Sequence, residues 1–223
     1  MTRGSKNLII LRKVDSTNNY AMGMVQKGGL KSGDAVMAME QTNGKGRRGK
    51  SWESNWCENV LLTVVHEMQW LPVYHQFYLT VAVAVGCYQF ISGYVKNNIS
   101  IKWPNDIYID DKKAGGVLIE NIIRGYVWQW SLSGIGININ QEDFQVEGRS
   151  PISLKMITGK KYDIKTMTAE LHAIILQRID DLKRGNFPAL FELYNQHLFA
   201  KNKMTKFRKG NSVFESTVKS VTP

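Results

Sequence analysis

The sequence predicts an α+β fold, a sheet backed by helices, and three observations carry that expectation. Short apolar segments recur between Asn7 and Asn140, separated by turns rich in glycine. The mostly apolar stretch from Tyr74 to Lys96 exceeds the length of a normal strand, so it reads as a core helix despite the β-branched Val81, Val83 and Val85. Beyond Ser150-Pro151 the spacing becomes helical, with Leu171, Ile174, Ile175, Ile179 and Leu182 between Thr166 and Arg184 and a second such pattern from Phe187 to Leu198. These two amphipathic helices are expected to cover the core.

Asn7 to Arg12 forms the first strand candidate. Asp15 or Ser16 can cap a following helix that carries Tyr20, Ala21, Met24 and Val25 on one face and stops at Gly28-Gly29. A strand from Asp34 to Glu40 then delivers Gln41 to the run Gly44-Lys45-Gly46-Arg47-Arg48-Gly49-Lys50-Ser51-Trp52. Here glycines allow close backbone approach, and the cations have no local acid to pair with, a combination suited to an anionic ligand. Most short charge runs are solvated faces. This one lies between two apolar strands, since Asn59 to His66 leaves it, and that placement favours a ligand. Its G-x-G-x-x-G spacing does not indicate a dinucleotide fold, because no helix opens at the third glycine. The protein-kinase alternative lacks H-R-D-L-x-x-x-N and D-F-G.

Within Ile99 to Ile109, Pro104 interrupts the ladder, so two short strands are expected to meet at a bend presenting Lys102, Asn105 and Asp106. After the turn at Asp110 to Lys113 comes the strand Ala114 to Glu120, where Gly115 and Gly116 mark close approach by a ligand or another backbone. Arg124-Gly125 turns the chain into Tyr126 to Leu132, a hairpin partner that runs on through Ser133-Gly134-Ile135-Gly136-Ile137-Asn138. Alternate glycines there clear one face for something flat or bulky. Strand-like pieces around Thr205 to Phe207 and Val213 to Val218 lie in a lysine-rich tail and cannot build a core alone.

With 223 residues and 43% hydrophobic content the chain supports one substantial domain and a small appendage. A net charge of +10 points to an anionic partner without choosing which. Cys57 and Cys87 form no C-x-x-C, His66-Glu67 does not extend to H-E-x-x-H, and G-x-S-x-G is absent, so neither a protein-built metal site nor a hydrolase nucleophile is expected. The longest apolar run, Phe77 to Ile91, is shorter than the roughly 20 residues of a membrane span. A cytoplasmic protein is the expectation.

Taken together, Asp15-Ser16-Thr17-Asn18, Gln41 ahead of the basic loop, Lys102-Trp103-Pro104-Asn105-Asp106, Lys113-Ala114-Gly115-Gly116 and Gly134-Ile135-Gly136-Ile137-Asn138 resemble the biotin protein ligases in order and approximate spacing. The resemblance implies a class II synthetase-like catalytic domain over residues 1–200, a mixed sheet backed by helices. It also implies the start of an SH3-like β domain over 201–223, which reads as truncated. The implied reaction joins biotin and ATP, with Mg²⁺, into biotinyl-5′-AMP and passes biotin to a lysine of a biotin carboxyl carrier protein.

Carried over by motif, the resemblance assigns Ser16, Thr17, Asn18, Gln41, Gly44, Arg47, Lys113, Gly116, Gly134 and Gly136 to biotin. It assigns Arg47, Arg48, Lys50, Trp52, Lys102, Asn105 and Asn138 to ATP, and Lys113, Arg47, Lys102 and Asp106 to catalysis, with Lys113 as the central cation. Lysine stands at positions 45 and 50 where relatives often carry arginine, which keeps charge and loses the bidentate fork. Because the catalytic pattern begins within about fifteen residues of Met1, DNA-binding repression is not expected. A monomer and a homodimer are both compatible with the sequence. A lipoate or octanoate ligase or transferase of the same fold is the nearest rival, and a basic nucleic-acid-binding module a more distant one.

Overall fold

The computed structural model describes residues 7–145 and 151–222, so Ser150 and Pro223 fall outside it. In chain order the elements are β1 (Leu8–Leu11), α1 (Thr17–Gln26), β2 (Ala35–Ala38), β3 (Asn59–Glu67), α2 (Gln76–Ser92), β4 (Ile99–Lys102), β5 (Asp106–Ile109), β6 (Lys112–Arg124) and β7 (Val127–Asn138). They continue with α3 (Leu154–Thr158), α4 (Ile164–Lys183), α5 (Phe187–Gln196), β8 (Met204–Lys209) and β9 (Ser212–Thr217). Seven strands form one sheet in the order β1-β2-β3-β7-β6-β5-β4. β1 runs parallel to β2 and every other neighbouring pair is antiparallel, which makes the sheet mixed.

Alternation along the strands sorts side chains onto two faces. Ala35, Met37, Val60, Leu62, Val64, Ile135 and Ile137 face the main core, where α2, α4 and α5 pack. Val36, Val65 and Leu132 face the other way and meet Ala21 and Val25 of α1. Among the described residues this one short helix covers that second face, which leaves the middle of the sheet beside it open for a site.

α2 is apolar on nearly all sides because it is sandwiched, with Leu79, Val81, Val83, Val85, Phe90 and Ile91 all buried. A valine costs at most about 0.7 kcal/mol in helix propensity. Burying its side chain returns about 1.5–3 kcal/mol, so packing decides the conformation. Gly86 lets α4 come close: a Cβ there would stand 2.7 Å from Ile175 Cδ1. α4 itself is capped by Asp163, whose carboxylate accepts from Thr166 N at 2.8 Å.

The element boundaries differ from the sequence expectation where pairing extends or ends a strand. β6 and β7 are longer than their apolar cores because a hairpin zips outward to Arg124 and Val127, and α3 is a single turn that the periodicity did not reveal. Behind the Lys102–Asp106 bend stands α5. The buried Tyr194 hydroxyl donates to Pro104 O at 3.0 Å, Ile101 N donates to His197 O at 2.7 Å and Phe199 N donates to Ile101 O at 2.9 Å. The Trp103–Pro104 peptide is cis.

β8 and β9 form a separate two-stranded sheet with Phe207 and Phe214 stacked at 5.8 Å. An isolated hairpin is marginal. Its base is closed by Asn202 N donating to Val218 O at 2.9 Å, and it is tied to the rest by Asn195 of α5, which exchanges two hydrogen bonds with Val221 at 2.7 and 3.0 Å.

Tyr194→Phe tests the support of the bend. Losing that hydrogen bond is expected to cost about 1 kcal/mol, read as a lower urea midpoint at unchanged m-value. An unchanged midpoint would mean that Pro104 is held without Tyr194.

Candidate active site

A cavity of about 370 Å³ opens on the α1 face of the sheet. Its floor is built where β3, β7 and β6 lie side by side. Thr63 of β3 is registered with Gly134 of β7, and Gly134 with Leu118 of β6. Ser16 occupies the N-cap position of α1 in extended conformation but makes no capping hydrogen bond, so its hydroxyl is not consumed by the helix. Thr17 and Asn18 follow it, buried in the first turn.

These groups form a continuous hydrogen-bonded set. Gln41 Oε1 accepts from Thr17 N at 2.8 Å and from the Thr17 hydroxyl at 3.0 Å. The Thr63 hydroxyl lies 2.8 Å from Thr17 Oγ1 and donates to Asn18 Oδ1 at 2.6 Å. Asn18 Nδ2 donates to Glu120 Oε2 at 2.7 Å. Thr17, Asn18 and Gln41 thus line one end of the cavity with uncharged donors and acceptors, backed by Thr63 and Glu120.

Two glycines make the floor possible. A Cβ on Gly134 would stand 2.5 Å from Asn18 Oδ1, and one on Gly136 would run into the Trp52 indole. The Trp52 ring therefore lies directly on bare backbone, and its indole Nε1 is buried without a hydrogen-bond partner among the described residues. Buried donors ordinarily find acceptors, so this N–H is free to meet an acceptor on a ligand in the cavity.

The basic loop folds over the cavity. Trp52 N donates to Gly44 O at 2.8 Å, Gly46 N donates to Lys50 O at 2.6 Å, and Arg48 sits at φ 57°. Gly44 is buried beneath this turn, where any side chain would strike the Trp52 carbonyl and approach Gln41. Two cations bridge from the loop to the body: Lys45 Nζ donates to Asn19 Oδ1 at 2.6 Å, and Arg47 Nη1 donates to Asn105 Oδ1 at 3.0 Å. Asn105 Nδ2 in turn donates to Val117 O at 2.7 Å.

Lys113 Nζ pairs with Asp106 at 2.9 Å and stands 5.6 Å from the centre of the Trp52 ring. Both side chains of the ion pair are about one-third exposed, 36% and 27%. A pair in that setting contributes at most about 1 kcal/mol to stability. Its location matters more, because the ammonium lies at the junction with a second cavity of about 180 Å³ lined by Ser51, Trp52, Glu53, Lys113, Asn138, Phe144 and Pro151. The two cavities share Ser51, Trp52 and Lys113.

Ser16, Thr17, Asn18, Gln41, Arg47, Arg48, Lys50, Trp52, Asn105, Asp106, Lys113, Gly116, Gly134 and Gly136 line the larger cavity. Asn138 lines the smaller one, and its amide donates to Ile152 O at 3.2 Å. Lys102 is set apart from both linings. Its ammonium is 3.2 Å from the Tyr108 hydroxyl and lies over the Tyr108 and Phe199 rings at 4.8 and 5.5 Å. Sequence reasoning missed Thr63, Glu120 and Trp103. The first two are polar positions in apolar strands, a signal that becomes readable only with the strand register. The third belongs to the bend and lies half exposed at the cavity.

Among the described residues no cluster of three His, Cys, Asp or Glu side chains could hold a metal ion. Magnesium would fit this donor set only as a companion of substrate phosphates, which it commonly joins with few protein ligands, and it would supply neutralising charge there. No helix of the described residues is long and apolar enough to cross a membrane.

Residues 10–138 match the family model described as Biotin/lipoate A/B protein ligase family. The bifunctional ligase/repressor BirA of Escherichia coli is 29% identical over 173 residues, covering 78% of this chain and 52% of that protein. The chain thus spans about half the length of this curated relative. Among solved structures, the biotin protein ligase of Aquifex aeolicus in complex with biotin and ATP aligns with TM-score 0.82 and 24% identity, covering 98% of this chain and 89% of that one. The biotin protein ligase of Leishmania major in complex with biotinyl-5-AMP aligns with TM-score 0.73 and 25% identity, covering 93% and 87%. With the family model matched over residues 10–138 and the fold shared, the chain belongs to the biotin/lipoate A/B protein ligase family.

Proposed function

We propose that this protein is an ATP-dependent biotin ligase that forms biotinyl-5′-AMP and transfers biotin to a lysine of an acidic carrier domain in the cytoplasm. The observation that carries the reading is the pair of cavities that share Trp52 and Lys113, the larger one lined at one end by oriented uncharged polar groups and elsewhere by the cations Arg47, Arg48, Lys50 and Lys113. Biotin's ureido head takes the Thr17, Asn18 and Gln41 end, which the buried Thr63 backs. Its carboxylate points to the junction, and the adenylate spans Trp52 and Asn138.

In the first step a carboxylate oxygen attacks the α-phosphorus of ATP. A new C–O–P bond forms, the bond to the β-phosphate oxygen breaks, and pyrophosphate leaves. Two anions must meet, so the protein's part is alignment and charge neutralisation. Lys113 stands where that charge develops, held by Asp106, and Arg47, Arg48 and Lys50 add positive charge from the loop above. In the second step the acceptor amine attacks the acyl carbon and AMP leaves. A loop closed over the cavity keeps water from the mixed anhydride until then.

The related reading, activation of lipoate or octanoate, is disfavoured by the cavity's polar end. A site built to hydrogen-bond its substrate rejects an analogue that leaves those groups unpaired, by as much as about 10⁴-fold. Offered biotin, lipoate and octanoate in parallel with ATP, the protein is expected to yield biotinyl-AMP alone by mass spectrometry. An adenylate only from lipoate or octanoate would reassign the acid, and no adenylate would contradict activation.

Lys113→Met separates chemistry from acid binding. The expected result is a fall in kcat of adenylate formation of about 10²–10³-fold, with biotin affinity nearly retained. A loss of affinity with no loss in kcat would move Lys113 from the reacting centre to substrate binding.

A further inference from the structure

Glu120 is the one carboxylate that touches both the cavity floor and the basic loop among the described residues. Its Oε2 accepts from Asn18 Nδ2 at 2.7 Å, while its Oε1 lies 3.7 Å from Lys45 Nζ. Asn18 is 3% exposed and lies against Gly134, and its Nδ2 has a second, more distant acceptor in Leu118 O at 3.4 Å, so losing Glu120 removes the closer of its two partners. Which way that amide points is set by two acceptors, the Leu118 carbonyl and, more closely, the Glu120 carboxylate. An ionised carboxylate only accepts, so the NH₂ must face Glu120, and the carbonyl is then left to face Thr63, whose hydroxyl donates to it at 2.6 Å. Reversing the amide would set an oxygen against a carboxylate.

On its other side Glu120 meets the cation of a loop whose remaining bridges go to neutral oxygens of Asn19 and Asn105. Lys45 and Glu120 are 38% and 32% exposed, so the attraction is modest, enough to shift a loop equilibrium by about three- to fivefold and no more.

We propose that Glu120 is a positioning residue that sets the Asn18 amide for the acid substrate and, through Lys45, holds the basic loop down on the cavity. The first half rests on the biotin reading; the second does not. Glu120 touches no reacting atom and acts through its two partners. When the acid binds, the same side chain therefore links recognition of its head group to closure of the loop that covers its carboxylate.

Three variants separate the two roles. Glu120→Ala removes both, Glu120→Gln keeps an acceptor for Asn18 but not the charge, and Lys45→Met leaves Asn18 with its acceptor while removing the tether together with the Lys45–Asn19 hydrogen bond. Biotin affinity is read by calorimetry, and loop opening by the rate of tryptic cleavage after Arg47 or Arg48, which follows the open population when reclosing is fast. The expected pattern is about tenfold weaker biotin binding in Glu120→Ala, largely restored in Glu120→Gln. Cleavage is expected to be about three- to fivefold faster in both Glu120 variants and at least as fast in Lys45→Met, with no gain beyond Lys45→Met in the Lys45→Met, Glu120→Gln double variant.

Wild-type biotin affinity in Glu120→Ala would overturn the positioning role, and wild-type cleavage or additive double-variant rates would overturn the tether. If the unaltered protein binds no biotin, the functional reading falls, while the cleavage arm still decides the tether. Should Glu120→Ala not fold, Glu120→Gln and Lys45→Met decide the tether in its place, and faster cleavage with intact biotin binding in Glu120→Gln supports the division of roles.

Discussion

The site depends on a strip of bare backbone. At Gly134 and Gly136 the central strand β7 presents no side chain toward the α1 face, so Asn18 lies on one glycine and the Trp52 indole on the other. Everything else is arranged around those two contacts. Asn18 connects the floor to α1 and to Glu120. Trp52 anchors the end of the basic loop and divides the space into two cavities that meet at Lys113. A methyl group at either position would have to displace the side chain that defines its compartment.

The energetic design separates stability from chemistry. The main core, under α2, α4 and α5, is apolar and filled. On the other face, the charges around the cavity are only partly buried, and Lys113–Asp106 contributes little to folding at that exposure. Such cations are cheap to maintain and remain able to meet an anion. The loop cations likewise lean on neutral amides, Asn19 and Asn105, rather than on strong ion pairs. A loop held in this way can open at small cost.

Much of this was legible in the sequence because local rules governed it. The long apolar stretch from Tyr74, the amphipathic pair after Thr166, the proline bend and the alternating glycines each have a signature independent of partners, and the structure contains each of them. The mixed sheet backed by helices, expected from the family resemblance, is also what the chain adopts. Partner choice was not legible. Nothing local says that β1 pairs parallel with β2, or that Thr63 and Leu118 flank Gly134. Thr63 and Glu120 therefore looked like ordinary alternation in two strands. Lys102 illustrates the converse, since its motif is readable while the direction of its ammonium, toward Tyr108 and Phe199, is set by β5 and the segment after α5.

The most direct test of the two-compartment site is calorimetric binding of biotin and of ATP, measured separately, to Gly134→Val and Gly136→Val. Overpacking of about 1–3 kcal/mol corresponds to roughly 5- to 150-fold in affinity. Displacing Asn18 in Gly134→Val is expected to weaken biotin while sparing ATP, and displacing Trp52 in Gly136→Val to weaken ATP more than biotin. Equal effects on both ligands in both variants, or the reverse assignment, would contradict a site divided at Trp52 and Lys113.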